Sequence, residues 1–131
     1  MIALVRPDVR LQASYLAAAA EFGDAQRDGD GQWREPADAG GYPGRSFSRE
    51  DLDTEAGFAA FVRWRLDRAL SDAPRPTGHV PCTYLWVVDD ARPTTYLGSL
   101  SLRHGLTPSL LEHGGHIAYS VRPSARQRSA V

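Results

Sequence analysis

The chain has 131 residues, 42% hydrophobic and 24% charged, a balance that fits one folded domain with a real core and excludes a wholly disordered chain. Its net charge of −1 provides no sequence-wide field to recruit nucleic acid or anionic membrane, so neither is an expected partner. A single cysteine, Cys82, excludes an intramolecular disulfide and a cysteine-based zinc site, and fifteen arginines without a lysine exclude lysine Schiff-base chemistry.

Residues 2–6 are a short apolar run closed by Pro7, which suits a first strand. The run is too short for the apolar core of a signal peptide, and no stretch approaches the ~18 apolar residues of a membrane span. The chain is therefore expected in the cytoplasm. Asp8 can cap a helix over residues 9–22, where Val9, Leu11, Tyr15, Leu16, Ala19 and Phe22 recur at helical spacing and the alanine run 17–20 adds propensity. Residues 23–49 are rich in Gly, Asp, Pro and Arg, have no period, and read as a long loop anchored by Trp33, Tyr42 and Phe47. A second helix is expected over 51–70. Ser48 and Asp51 form its capping box, and Phe58, Phe61, Val62, Leu66, Ala69 and Leu70 form its apolar face. Asp72 to Gly78 is a Pro-rich break.

The remainder reads as strands. Residues 82–88, Cys-Thr-Tyr-Leu-Trp-Val-Val, are apolar on both alternating faces and so call for cover on both. A turn over Asp89–Pro93, a strand over 95–103, a connection over 104–114 and a last strand over 115–122 closed by Pro123 complete the order. The expected architecture is one α/β (α+β) unit, a mixed, mainly antiparallel sheet with two N-terminal helices.

The segment Val80 to Arg128 resembles the GNAT superfamily of N-acetyltransferases. The carrying residues are Val80-Pro81-Cys82-Thr83, Leu97-Gly98-Ser99-Leu100-Ser101-Leu102-Arg103-His104, and above all Gly114-Gly115-His116-Ile117-Ala118-Tyr119-Ser120-Val121-Arg122-Pro123-Ser124. The motifs span roughly the last two-fifths of the chain; the element order matches throughout. The resemblance implies acetyl-CoA as co-substrate and an amine as acceptor. It also implies a loop after the last strand, of the form Gln/Arg-x-x-Gly-x-Gly/Ala, that cradles the pyrophosphate with backbone N–H groups.

Here that loop aligns as Arg126-Gln127-Arg128-Ser129-Ala130-Val131, with Ser129 and Val131 in place of small residues that permit close approach. Val121 would offer its backbone to the pantetheine, and Arg122, Arg126 and Arg128 would meet phosphate oxygens or form a solvated basic tail. The resemblance further implies that the chain covers the front of the fold, with the later strands and helices and the usual Tyr acid beyond residue 131. His116 and Tyr119 are candidate proton acceptors from the amine, or packing residues.

Trp33, Tyr42 and Phe47 either line an acceptor pocket or anchor the loop. Glu50, Asp51, Asp53 and Glu55 complement a helix N-terminus. His104, His113 and His116 have no metal-ligand spacing, so no metal is expected. A second function class is a catalytically inactive binding or assembly module. Without cover on its second face, the sheet would self-associate as a homo-oligomer.

Overall fold

A computed structural model describes residues 1–23, 30, 33–105 and 117–129, with side chains described as far as Arg126. Strand β1 (Ile2–Val5) stops before Pro7, which has no N–H to give a ladder. The Asp8 carboxylate accepts from the Arg10 N–H at 2.9 Å and starts a 3-10 turn, Val9–Leu11, that runs into helix α1 (Gln12–Phe22).

The segment expected to be an aperiodic loop contains a small antiparallel ribbon, β2 (Arg34–Glu35) against β3 (Arg45–Ser46). Its arms are held together because the Phe47 N–H donates to the Trp33 carbonyl at 2.8 Å while both rings pack on the core. Residues 24–29 and 31–32 of that expected loop lie outside the described residues.

The single helix expected over 51–70 is two helices, α2 (Arg49–Asp53) and α3 (Glu55–Asp67). The capping box at α2 is as expected: the Ser48 N–H donates to Asp51 at 2.8 Å and the Asp51 N–H to the Ser48 hydroxyl at 3.1 Å. Thr54 causes the split. Its backbone is extended and its hydroxyl accepts from the Gly57 N–H at 2.9 Å, a second N-cap within one turn of the first helix. The apolar face also differs from expectation. Phe58, Phe61, Val62, Trp64 and Arg65 are buried, while Leu66 and Leu70 are exposed. Helix α3 packs on two sides: the sheet takes one, and Phe47 takes another, 5.5 Å from both the Phe61 and Trp64 rings.

Strands β4 (Cys82–Asp89), β5 (Arg92–Arg103) and β6 (Ile117–Val121) complete a four-stranded sheet of order β1-β4-β5-β6, antiparallel throughout. The turn shrinks to Asp90-Ala91, so β5 begins at Arg92, three residues earlier than expected. Residues 106–116, which hold most of the expected connection and the start of the expected last strand, lie outside the described residues. After Val121 comes helix α4 (Pro123–Ser129), which takes residues 126–129 of the loop expected over 126–131; residues 130–131 lie outside the described residues. Pro123 at its first position has φ preset for a helix and lacks only an N–H that would have had no partner there.

The fold is thus mixed α+β, with a mainly antiparallel sheet and, among the described residues, four helices. No helix among them is long and apolar enough to cross a membrane.

Register sets the two faces of the sheet. Val5, Trp86 and Ser99 align on one, and Leu4, Val87 and Gly98 on the other. The first face is packed by the helices around Tyr15, whose ring stacks on Trp86 at 4.8 Å and meets Tyr96 edge-on at 5.1 Å. Burying each such ring contributes about 1.5–3 kcal/mol. Within this aromatic core lies a polar network centred on buried Asp30. The Tyr15 hydroxyl donates to one Asp30 oxygen at 2.8 Å, the Ser99 hydroxyl to the other at 3.1 Å, and the Trp33 indole N–H to the Tyr15 oxygen at 2.9 Å. Tyr96 and Ser99 share a short hydroxyl–hydroxyl bond. Burial first, then the Asp30 charge, pushes the Tyr15 hydroxyl well above its ordinary range, so it stays a donor. The network fastens the front of the 33–47 segment to the sheet.

Candidate functional site

Two places in the fold concentrate chemistry. One is the junction of β6 and α4, where the resemblance puts the cofactor. The Arg122 N–H donates to the Leu97 carbonyl at 2.7 Å, so alternation turns the N–H groups of Tyr119 and Val121 to the outer edge of the sheet. The Val121 carbonyl also faces outward and accepts from Arg126 Nε at 2.9 Å.

Arg122 itself is a tie between elements. Its Nε donates to Glu21 at 2.5 Å, and its Nη1 to the Ser14 hydroxyl and the Tyr96 carbonyl, both at 3.2 Å. The other Glu21 oxygen accepts from the Ser124 N–H at 2.9 Å. Partial burial alone raises the Glu21 carboxyl, but the Ser124 and Arg122 hydrogen bonds together hold it below its ordinary value.

The Arg126 guanidinium lies 5.7 Å over the Phe22 ring. Gln127, Arg128 and Ser129 continue the backbone of α4, and Ala130 lies outside the described residues. His116 lies outside them too. Tyr119 stands opposite Leu100 on the face that no described helix covers and is 69% exposed. The structure therefore separates Tyr119 from the polar groups of the opposite face.

The second place is a cavity of about 1000 Å³ on the helix-covered face. The end of α3 (Trp64, Arg65, Arg68), the starts of β2 and β4 (Arg34, Cys82, Tyr84), the end of β5 (Arg103) and the 75–80 turn form its walls. Trp33, Tyr42 and Phe47 do not line it; they anchor the segment that does. Burial pushes the Cys82 thiol up, and it pushes the Tyr84 hydroxyl up to about 12, so both stay protonated at neutral pH.

None of the five cavity arginines was marked in the sequence as a site residue. Arg65 carried a weak signal: it lies four residues after Phe61 and three after Val62, on the apolar side of its helix.

The acidic residues within α2 and at the start of α3 behave as helix complements: Asp51 closes the capping box, Asp53 pairs with Arg49 at 3.2 Å, and Glu55 lies in the first turn of α3. His104 bonds the Thr83 hydroxyl at 2.6 Å. Among the described residues, no group of three or more His, Cys, Asp or Glu could hold a metal ion.

No family model, no curated protein and no solved structure matches the chain.

Proposed function

We propose that this chain carries the acetyl-CoA-binding front of a GNAT-type N-acetyltransferase, which moves an acetyl group from the thioester to an amine. The observation that carries the reading is the β6 edge. Among the described residues β6 is an edge strand, and with outward N–H groups at Tyr119 and Val121 it runs straight into a helix opened by Pro123. An extended pantetheine can pair along such an edge as an added strand does. The order of the main sheet and helices supports the same reading: one strand, three helices with the β2–β3 ribbon between the first two, three antiparallel strands, then a helix.

In this reading the neutral amine attacks the thioester carbonyl, forming a C–N bond. An edge N–H of β6 stabilises the oxyanion, and the C–S bond breaks to release the CoA thiolate, which takes up the proton lost by the amine. Calorimetric titration of acetyl-CoA into the 131-residue chain tests it: saturable micromolar binding is expected, and no heat at millimolar ligand overturns it.

A second reading rests on the other sheet face. Ile2, Leu4, Leu85, Leu100, Ile117 and Tyr119 make a contiguous apolar surface, and no described element covers it. Four strands at ~4.8 Å spacing and about five residues at ~3.3 Å give a patch of a few hundred Å², the size that marks interfaces. Under this reading the chain is an assembly module whose second copy covers that face, β6 edges included. Light scattering between micromolar and millimolar protein decides: a dimer or larger is expected, and a monomer throughout overturns it.

A further inference from the structure

The cavity has the size of a small-molecule site, and two loops of the chain, residues 36–40 and 75–80, form part of its wall. We propose that these loops are a lid, latched to each other by the Asp38 carboxylate, and that opening the latch admits a molecule to the part of the wall that holds Cys82. The inference does not depend on the acyl-transfer reading.

How the loops are held is the first argument. Each is fixed at its base. Buried Tyr42 donates its hydroxyl to Glu35 at 2.8 Å, and the Asp38 N–H donates to the Tyr42 carbonyl at 3.1 Å, which closes the first loop. Arg68, at the end of α3, closes the second: its Nη1 donates to the Pro74 carbonyl at 2.7 Å, and its own carbonyl accepts from the Cys82 N–H at 2.8 Å. Beyond these bases no residue of 36–41 or 71–79 is buried. Segments without buried side chains open at a lower free energy than the core does. Gly41 and Gly78 have φ of 99° and 84°, and a Cβ at either would meet nothing within 4 Å, so the backbone can turn there without breaking packing.

The contact between the loops is the second argument. The Asp38 carboxylate accepts from the Thr77 N–H of the other loop at 2.6 Å, and within its own loop from the Gly40 and Tyr42 N–H groups at 3.0 and 3.1 Å. The Thr77 bond is the largest influence holding the Asp38 carboxyl below its ordinary range, so the latch keeps its charge at neutral pH. One side chain therefore ties two loops whose bases are fixed separately. Behind them, Cys82 lines the same cavity and is the single cysteine of the chain. Burial raises its thiol, so it reacts slowly, and its rate with a reagent reports access to the cavity.

The test uses the intact chain and two thiol reagents of one chemistry and different size, N-ethylmaleimide and fluorescein maleimide, each rate divided by its rate with glutathione. In the parent the bulky reagent is expected to be the more strongly disfavoured. Asp38→Ala is expected to raise the bulky reagent's rate about threefold or more and to speed exchange of the Thr77 N–H, while the amides of β4 keep their parental protection. Should that variant fail to fold, Asp38→Asn, which loses the charge and keeps one acceptor oxygen, is read in the same way. Equal relative rates of the two reagents in the parent, an unchanged bulky-reagent rate in the folded variant, or a rise matched by lost protection in β4 overturns the inference. Failure of acetyl-CoA binding would strike the acyl-transfer reading and leave this result untouched.

Discussion

Replacing Tyr15 with Phe removes one oxygen from the middle of the core and leaves every ring contact in place. The ring stays stacked on Trp86 at 4.8 Å, and still meets Phe61 at 5.6 Å and Phe58 at 5.8 Å. Two hydrogen bonds go. The Tyr15 hydroxyl no longer donates to Asp30, 1% exposed, and the Trp33 indole N–H loses its acceptor. A hydrogen bond to a charged group contributes about 1.5–3 kcal/mol and a half-buried neutral one about 0.5–1.5, so the expected loss is about 2–4 kcal/mol. Because ring burial is unchanged, the denaturant slope should hold while the midpoint falls. The effect should also be local: Asp30 and Trp33 fasten the front of the segment that walls the cavity, so amide exchange at residues 33–35 should rise more than in β4. Urea unfolding with hydrogen-exchange mass spectrometry measures both. A loss below about 0.5 kcal/mol with unchanged exchange at 33–35 would refute the claim that this network fastens the segment.

Gly57→Ala reverses the usual sign for a helical glycine: a Cβ there would lie 1.8 Å from the Asp51 carbonyl oxygen, so the joint between α2 and α3 must open. The expected outcome in urea unfolding is destabilisation of about 1–3 kcal/mol, where propensity alone gives a gain of about 1. Gly98→Ala would put a Cβ 2.3 Å from the Ser120 carbonyl oxygen and should break the β5–β6 ladder near Val121, read as lost amide protection in β6. Acid should destabilise the fold. Asp8, Glu21, Asp38, Asp51 and Asp89 all lie below their ordinary values in the folded chain, so they bind protons more tightly when unfolded. Their contribution is full above about pH 4.5 and falls away as pH drops through the folded values, which thermal melts from pH 7 to pH 3 should show.

The parts of the fold that were legible are those written in local pattern. The run 2–6, the double-faced strand 82–88, the helix after Asp8 and the capping box at Ser48 each follow from neighbours a few residues apart. The parts that were not depend on distant partners. Asp30 sits in a stretch where Asp24, Asp28 and Asp30 look alike in sequence, and its bonds to Tyr15 and Ser99 join it to residues far along the chain. Thr54 carried a cap signal, but helix-forming residues on both sides hid the break between α2 and α3. Trp64 and Arg65 are buried because the Phe47 arm and the cavity wall add a second packed side to α3, which one-face periodicity does not anticipate. The candidate cofactor edge was visible as a motif. Its geometry was not, because Arg122 turned out to be occupied by Glu21, Ser14 and Tyr96. The cavity arginines are scattered from position 34 to position 103 and meet only in three dimensions.

The most direct test of the acyl-transfer account is an amide spectrum of the labelled chain titrated with acetyl-CoA. The account expects the largest shifts at Tyr119 and Val121 and in the first turn of α4, with slowed exchange of those two N–H groups as pantetheine pairs along β6. Saturating ligand that leaves residues 117–126 unmoved would contradict it.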